Sequence, residues 1–224
     1  MPTLLILDCD GVLIDSEGVA SQVTSRALAA KGWHLTPHEC ERRFIGTTFT
    51  DIARLAEPIT GPLGQEWIAE VAAQLVETLQ TEARCMPGAF EFVEKLVALG
   101  VNFRVASNSS HAEMRVKFAR TGLDRLIPPD RIHSAADVMA FGGKPKPAPD
   151  LFLVAARAAA IDPAEAWVVE DSVAGVRAAT VAGMLCYGFS LGAENPVLSA
   201  LGAIPLRALG DLLPLLQPKF REAS

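Results

Sequence analysis

Short apolar runs alternate along this chain with stretches that carry helix start and stop signals, which is how a parallel sheet with crossover helices reads. The strand candidates are residues 4–7, 101–106, 131–134, 167–169 and 185–187, with a further short one near Ile204. Between them, Ser110-His111-Ala112-Glu113 has the spacing of a capping box, in which side chains satisfy the free N–H groups of a helix start, and Gly122 is placed to end that helix. Gly100 follows another periodic stretch that begins near Phe90, and Gly183 closes a small-residue helix that begins near Ser172.

One block breaks the alternation. Asp15 to about Arg84 reads as successive helices with no convincing strand between them. Thr36-Pro37-His38-Glu39 opens one helix with a capping box and proline at the first helical position, and Pro58 with the Gly61-Pro62 pair breaks another. An insertion after the first strand lies over the carboxyl ends of the strands, where open α/β sheets bind ligands. The expected organisation is a core of residues 1–14 and 85–224 and a separate helical domain of residues 15–84.

Half of the 224 residues are apolar and 21% are charged, enough to bury a core without disordered tracts. With 20 basic against 26 acidic residues and no basic cluster, a nucleic-acid partner is not expected. The N-terminus enters the first apolar run directly, without a leader, and no run is long enough to span a membrane, so a cytoplasmic address is expected. Cys9, Cys40, Cys85 and Cys186 lack metal-ligand spacing and fit reduced packing thiols. His34 and His38 flank a helix boundary and are assigned to the surface, while Trp33, Trp67 and Trp167 are assigned to packing. Oligomeric state is not legible.

Chemistry concentrates at strand ends. Asp8 and Asp10 lie two residues apart just past the first strand, and crowded carboxylates repel unless a cation or a shared proton relieves them. Oxygen donors suit a hard cation, magnesium best. An aspartate can also attack phosphorus while a second one shuttles protons, although the pair alone reads equally as a solvated acidic turn. Ser107-Asn108-Ser109-Ser110 follows the second strand and offers a hydroxyl and N–H groups to an anion, or simply a helix cap. Lys144-Pro145-Lys146-Pro147-Ala148-Pro149-Asp150 places lysines in a proline-stiffened turn, where an ammonium could stabilise a transferring phosphoryl group or lie on the surface. Glu170-Asp171-Ser172 is a second acidic pair at a strand end.

In this order, DCDGVLIDSE, SNS, KPAPDLF and VVEDSVAGVRAA resemble the four motifs of the haloacid dehalogenase superfamily, especially the subgroup of β-phosphoglucomutase and small phosphosugar phosphatases. The resemblance spans essentially the whole chain. It implies a Rossmann-like parallel sheet with an inserted helical cap domain, and phosphatase activity on small phosphorylated metabolites, sugar phosphates first. It further implies Asp8 as nucleophile forming an aspartyl-phosphate and Asp10 as general acid and base. Magnesium would be held by Asp8, the Asp10 carbonyl and Asp171, with Glu170 as ligand or supporting partner. Ser107, Asn108 and Lys146 would hold phosphate. Only Lys146 has the family's Lys-Pro-x-Pro-Asp register, with Lys144 the substitute.

Phe44-Ile45-Gly46-Thr47-Thr48-Phe49 stands where the mutase carries basic residues for a second phosphate, and no histidine stands near Ala20 or Ser21. Hydrolysis is therefore expected over mutase activity, with Phe44, Ile45, Gly46, Thr47 and Phe49 either contacting substrate or packing in the cap. A dehalogenase or a non-catalytic binding module ranks lower, since neither uses the full set of carboxylates and lysine.

Overall fold

The computed structural model describes residues 3–44 and 47–216. The chain opens with β1 (Leu4–Leu7), whose four side chains are all fully buried, as expected of a central parallel strand covered on both faces. Their period-two alternation divides the core: Leu5 and Leu7 join one apolar cluster, Leu4 and Ile6 the other.

After a tight loop comes β2 (Ile14–Asp15), then the helices α1 (Glu17–Ala29), α2 (Pro37–Phe44), α3 (Phe49–Thr60) and α4 (Gln65–Glu82). β3 (Arg84–Cys85) then pairs antiparallel with β2, Ile14 opposite Cys85 and Asp15 opposite Arg84. The outgoing and returning chains of the helical block thus run side by side. Two-residue strands carry no periodicity, which is why the sequence pattern does not reveal this pair.

The rest alternates: α5 (Ala89–Ala98), β4 (Phe103–Ser107), α6 (His111–Thr121), β5 (Ile132–Ser134), α7 (Ala135–Met139), α8 (Asp150–Ala158), β6 (Ala166–Glu170), α9 (Val173–Val181), β7 (Leu185–Phe189), α10 (Pro196–Ala200), β8 (Ile204–Leu206) and α11 (Leu213–Leu216). The larger sheet has strand order β5-β4-β1-β6-β7-β8 with every neighbouring pair parallel. From β1 the chain builds outward through β4 and β5, then returns to the other side through β6. This reversal opens a crevice at the carboxyl ends of β1, β4 and β6, the general ligand position of an open α/β sheet.

Most punctuation falls where expected. Ser110 and Glu113 form a reciprocal capping box on α6, Gly122 ends that helix at φ 79°, and Thr36 and Glu39 make the corresponding contacts at α2. Two expectations are corrected. Pro58 does not break α3; it sits in the last turn, where little helix remains to disrupt, and Gly61 at φ 74° ends the helix with its N–H on the Glu57 carbonyl. β4 starts at Phe103 instead of residue 101, because the Val101 N–H is used to close α5 on the Leu96 carbonyl.

The helical block shares one apolar cluster with the sheet: Val23, Leu28, Trp67 and Leu79 belong with Leu5, Phe92 and Phe118. Trp33 and Trp167 pack against the same cluster, while His34 and His38 are exposed. No described helix is long and apolar enough to cross a membrane.

Candidate active site

The loop after β1 turns back on itself. The Asp8 N–H bonds the Val169 carbonyl of β6, and the Gly11 N–H reaches the Ile14 carbonyl. Glycine is needed at position 11 for two reasons: its φ is +71°, and a Cβ there would fall 1.8 Å from Asp171 Oδ2. Asp8, Asp10 and Asp171 are thereby gathered at the carboxyl ends of β1 and β6.

Lys146 reaches into this cluster from the loop before α8. Its Nζ donates to Asp8 Oδ1 at 2.6 Å, Glu170 Oε1 at 2.6 Å and the Ala106 carbonyl at 2.7 Å, so all three ammonium donors are used. The side chain is buried and its charge also lies 4.7 Å from the centre of the Phe152 ring. Asn108 fixes the loop that carries it: its side-chain amide donates to the Lys146 carbonyl, and its Oδ1 accepts from the Lys146 N–H. The Asn108 side chain is thus occupied by positioning Lys146, which leaves its main chain as the group available to a phosphate. Lys144 is exposed.

Glu170 is fully buried and hydrogen-bonded at both oxygens. Its Oε1 accepts from Lys146, and its Oε2 from the hydroxyl and N–H of Ser172, the residue that caps α9. Gly175 makes room for this carboxylate, since a Cβ there would lie 1.8 Å from it. Gly175→Ala is therefore expected to destabilise the protein by about 1–3 kcal/mol through overpacking, despite alanine's better helix propensity. Gly18→Ala in α1, where an added Cβ meets nothing within 4 Å, is expected to be neutral or to stabilise by up to about 1 kcal/mol through helix propensity. Thermal denaturation of the two variants side by side checks the contrast.

Asp8, Glu170 and Asp171 each offer an oxygen within 4.8 Å of the others. Burial pushes the Asp8 carboxyl up to about 7, against the opposing pull of Lys146. Asp171 is likewise pushed well above the carboxylate range by burial and by Glu170 and Asp8. Three carboxylates facing one ammonium form an oxygen donor set suited to a hard divalent cation, so the residues fit magnesium chemically.

Asp10 lies in a second network. Burial acts to raise its carboxyl, but the Lys117 ammonium, with hydrogen bonds from Lys117, Ser109 and Ser16, outweighs it and holds the group low. Lys117 Nζ donates to Asp10 Oδ1 at 2.6 Å and to Ser109 Oγ at 3.0 Å, and Ser109 Oγ donates to Asp10 Oδ2 at 2.6 Å. The Ser16 hydroxyl also donates to Oδ1. Ser107 Oγ accepts from the Ser109 N–H and lies 3.5 Å from Asp10 Oδ2, so it sits between the strand end and the acidic pair.

Sequence reasoning missed Lys117, Ser109 and Ser16. Lys117 had a readable signal: Met114, Lys117 and Phe118 share the buried face of α6, and a lysine in such a row needs an anionic partner. Removing one member of a buried pair leaves the other charge uncompensated. Lys117→Met is expected to cost about 3 kcal/mol, at the lower end for such pairs, because Asp10 keeps two serine donors and its side chain is 30% exposed. Urea denaturation checks it.

The expected specificity residues that are described divide between core and surface. Phe44 is buried and packs edge-on against Trp33 with ring centroids 5.8 Å apart, which places it in the core of the helical block. Phe49 is half-buried against the same cluster, and Thr47 is exposed with its hydroxyl donating to the Phe44 carbonyl. Ile45 and Gly46 lie outside the described residues.

Comparison with known proteins places this geometry. The chain is 31% identical over 185 residues to a probable pseudouridine-5'-phosphatase of Drosophila melanogaster, covering 81% of the chain and 79% of the relative. It is 28% identical over 189 residues to a bifunctional riboflavin kinase/FMN phosphatase of Arabidopsis thaliana; the match covers 82% of the chain and only about half, 47%, of that longer relative. A crystal structure of a HAD family hydrolase from Deinococcus radiodurans R1, with bound phosphate and sodium, superposes with a TM-score of 0.77 at 30% identity, covering 96% of this chain and 94% of the other. The family profile described as haloacid dehalogenase-like hydrolase matches residues 2–183, a span that contains Asp8, Asp10, Lys146, Glu170 and Asp171. With sequence, fold and strand-end carboxylates in agreement, the chain belongs to the haloacid dehalogenase-like hydrolase family.

Proposed function

We propose that this protein is a magnesium-dependent phosphatase that hydrolyses small phosphorylated metabolites, sugar phosphates among them, through an aspartyl-phosphate on Asp8. The observation that carries the reading is Lys146, whose ammonium joins Asp8 to Glu170 beside Asp171. An Asp8 oxygen bonds to phosphorus as the ester bond to the leaving oxygen breaks, and that oxygen takes a proton from Asp10. In the second step Asp10 takes a proton from water, which attacks the phosphorus and releases Asp8. The pairing with Lys117 favours ionised Asp10, the form this second step uses, whereas the first step uses the protonated form, which the negative charge of a bound phosphate ester would favour. Phosphoryl transfer asks mainly for positioning and charge stabilisation, which Lys146, the Ser107 hydroxyl and the Asn108 main chain would supply.

Magnesium, held by the Asp8 carboxylate, the Asp10 main-chain carbonyl and Asp171, would contribute Lewis-acid charge stabilisation. Glu170, with both oxygens already engaged, fits a supporting partner better than a direct ligand. We read residues 15–84 as the cap and residues 1–14 with 85–224 as the core, supported by the β2–β3 pair at the crossing. The four free cysteines fit a cytoplasmic setting.

The test is hydrolysis of p-nitrophenyl phosphate and a panel of metabolite phosphates with magnesium and after EDTA treatment. We expect turnover that EDTA abolishes and magnesium restores. Turnover indifferent to EDTA would refute the metal assignment, and a preference for non-sugar esters would refute the substrate class.

A further inference from the structure

A cavity of about 380 Å³ opens from the site just described; Gly11 and Asp171 line its catalytic end. It is the leaving-group side of the proposed phosphatase site, and its role as a specificity pocket rests on that reading. Its lining includes Asp15 and Glu17, at the start of the helical block, and the polar residues Ser190 and Asn195, the second of which also caps α10 by accepting from the Val197 N–H. Met86 and Phe189 add apolar surface. Among the described residues no lysine, arginine or histidine lines it. Arg84, opposite Asp15 across the strand pair, is not part of the wall.

The two buried ammoniums nearby offer no spare charge. Lys146 is shared between Asp8 and Glu170, and Lys117 is taken by Asp10. Burial pushes the Glu17 carboxyl upward, and the charges of Glu41, Asp15 and Asp10 add to it. With magnesium committed to the transferring phosphate at the catalytic end, a second anionic group on a bound ester would therefore meet Asp15 and Glu17 with no lysine, arginine or histidine in the lining to offset them, whereas hydroxyls could bond to Ser190, Asn195 and the carboxylates.

We infer that this site selects leaving groups that are hydroxylated and uncharged, the monophosphates of neutral sugars, polyols and nucleosides, and that it discriminates against bisphosphates and phosphorylated acids. The selectivity is an electrostatic exclusion built into the acidic part of the lining, and Glu17 is the specificity-determining residue within it.

D-Glucose 6-phosphate and 6-phosphogluconate test this directly, since they share a six-carbon skeleton and differ in charge at the far end. Each is measured as a competitive inhibitor of magnesium-dependent p-nitrophenyl phosphate hydrolysis, which reads preference whether or not either ester is turned over. The inhibition constant of the neutral sugar ester should be lower by about tenfold or more, and Glu17→Gln should narrow that ratio severalfold. Equal or tighter binding of 6-phosphogluconate by the unaltered protein, or a ratio untouched by Glu17→Gln, would overturn the inference while leaving the phosphatase reading intact. Absence of magnesium-dependent p-nitrophenyl phosphate hydrolysis would instead overturn both.

Discussion

Asp8→Asn is expected to abolish ester hydrolysis, by on the order of 10⁴-fold or more, in a protein that still folds. Asparagine matches the shape of aspartate and its carbonyl can still accept from Lys146, but it removes the nucleophile and one anionic metal ligand. The same change has a second signature. Asp8 in the metal-free protein is pushed up to about 7, chiefly by burial, from an ordinary value of 3.8. Between those values the folded state holds a proton that the unfolded state has lost, so the contribution of Asp8 to stability falls as pH rises from about 4 to about 7. The asparagine of the variant does not titrate. In EDTA, Asp8→Asn should therefore melt above the wild type at pH 8, and the gap should shrink toward pH 5. Thermal melts of both proteins at the two pH values check it.

Lys146→Met should damage rate and fold together. Its ammonium joins Asp8 to Glu170, and Glu170 is wholly inaccessible to solvent. Removing the cation leaves two carboxylates facing each other in a buried site, a loss of about 3–5 kcal/mol for a broken buried ion pair. The rate should fall by a further factor of about 10²–10³ as charge stabilisation at the phosphoryl group is lost. Lys144→Met is the control: that side chain is exposed, and its replacement should leave stability within about 0.5 kcal/mol. Denaturation curves and kcat for both variants separate the two lysines, which the sequence places in near-equivalent Lys-Pro settings.

The parallel sheet was legible because central strands buried on both faces leave continuous apolar runs, as Leu4–Leu7 does, and because capping chemistry is local. Ser110, Glu113 and Gly122 act on neighbours within a few residues, so their pattern survives in one dimension. The strand-end residues Asp8, Ser107 and Glu170 were legible for a related reason: each immediately follows or ends a readable strand.

What sequence reasoning lost depends on contacts distant along the chain. Lys117 meets Asp10 only because the packing of α6 against α4, β3 and β5 brings together residues 107 positions apart, and nothing around position 117 announces the partner. Ser109 reads as a loop residue until its hydroxyl is found between Lys117 and Asp10. The sequence points Asn108 at a phosphate, yet its side-chain amide holds the Lys146 loop, a contact with a residue 38 positions away. In the segment from Phe44 to Phe49, apolar side chains have no local mark that separates a substrate wall from a helical core, and Phe44 lies in the core against Trp33.

In the proposed reaction, phosphorus is transferred to Asp8 before it reaches water. Quenching the protein during turnover of a phosphate ester with borohydride, which reduces an acyl phosphate to an alcohol, and then mapping its peptides by mass spectrometry tests this most directly. We expect homoserine in place of Asp8, dependent on substrate and absent from Asp10 and Asp171. An actively hydrolysing protein whose Asp8 peptide emerges unchanged under conditions that trap other acyl phosphates, or whose modification falls on another carboxylate, would contradict it.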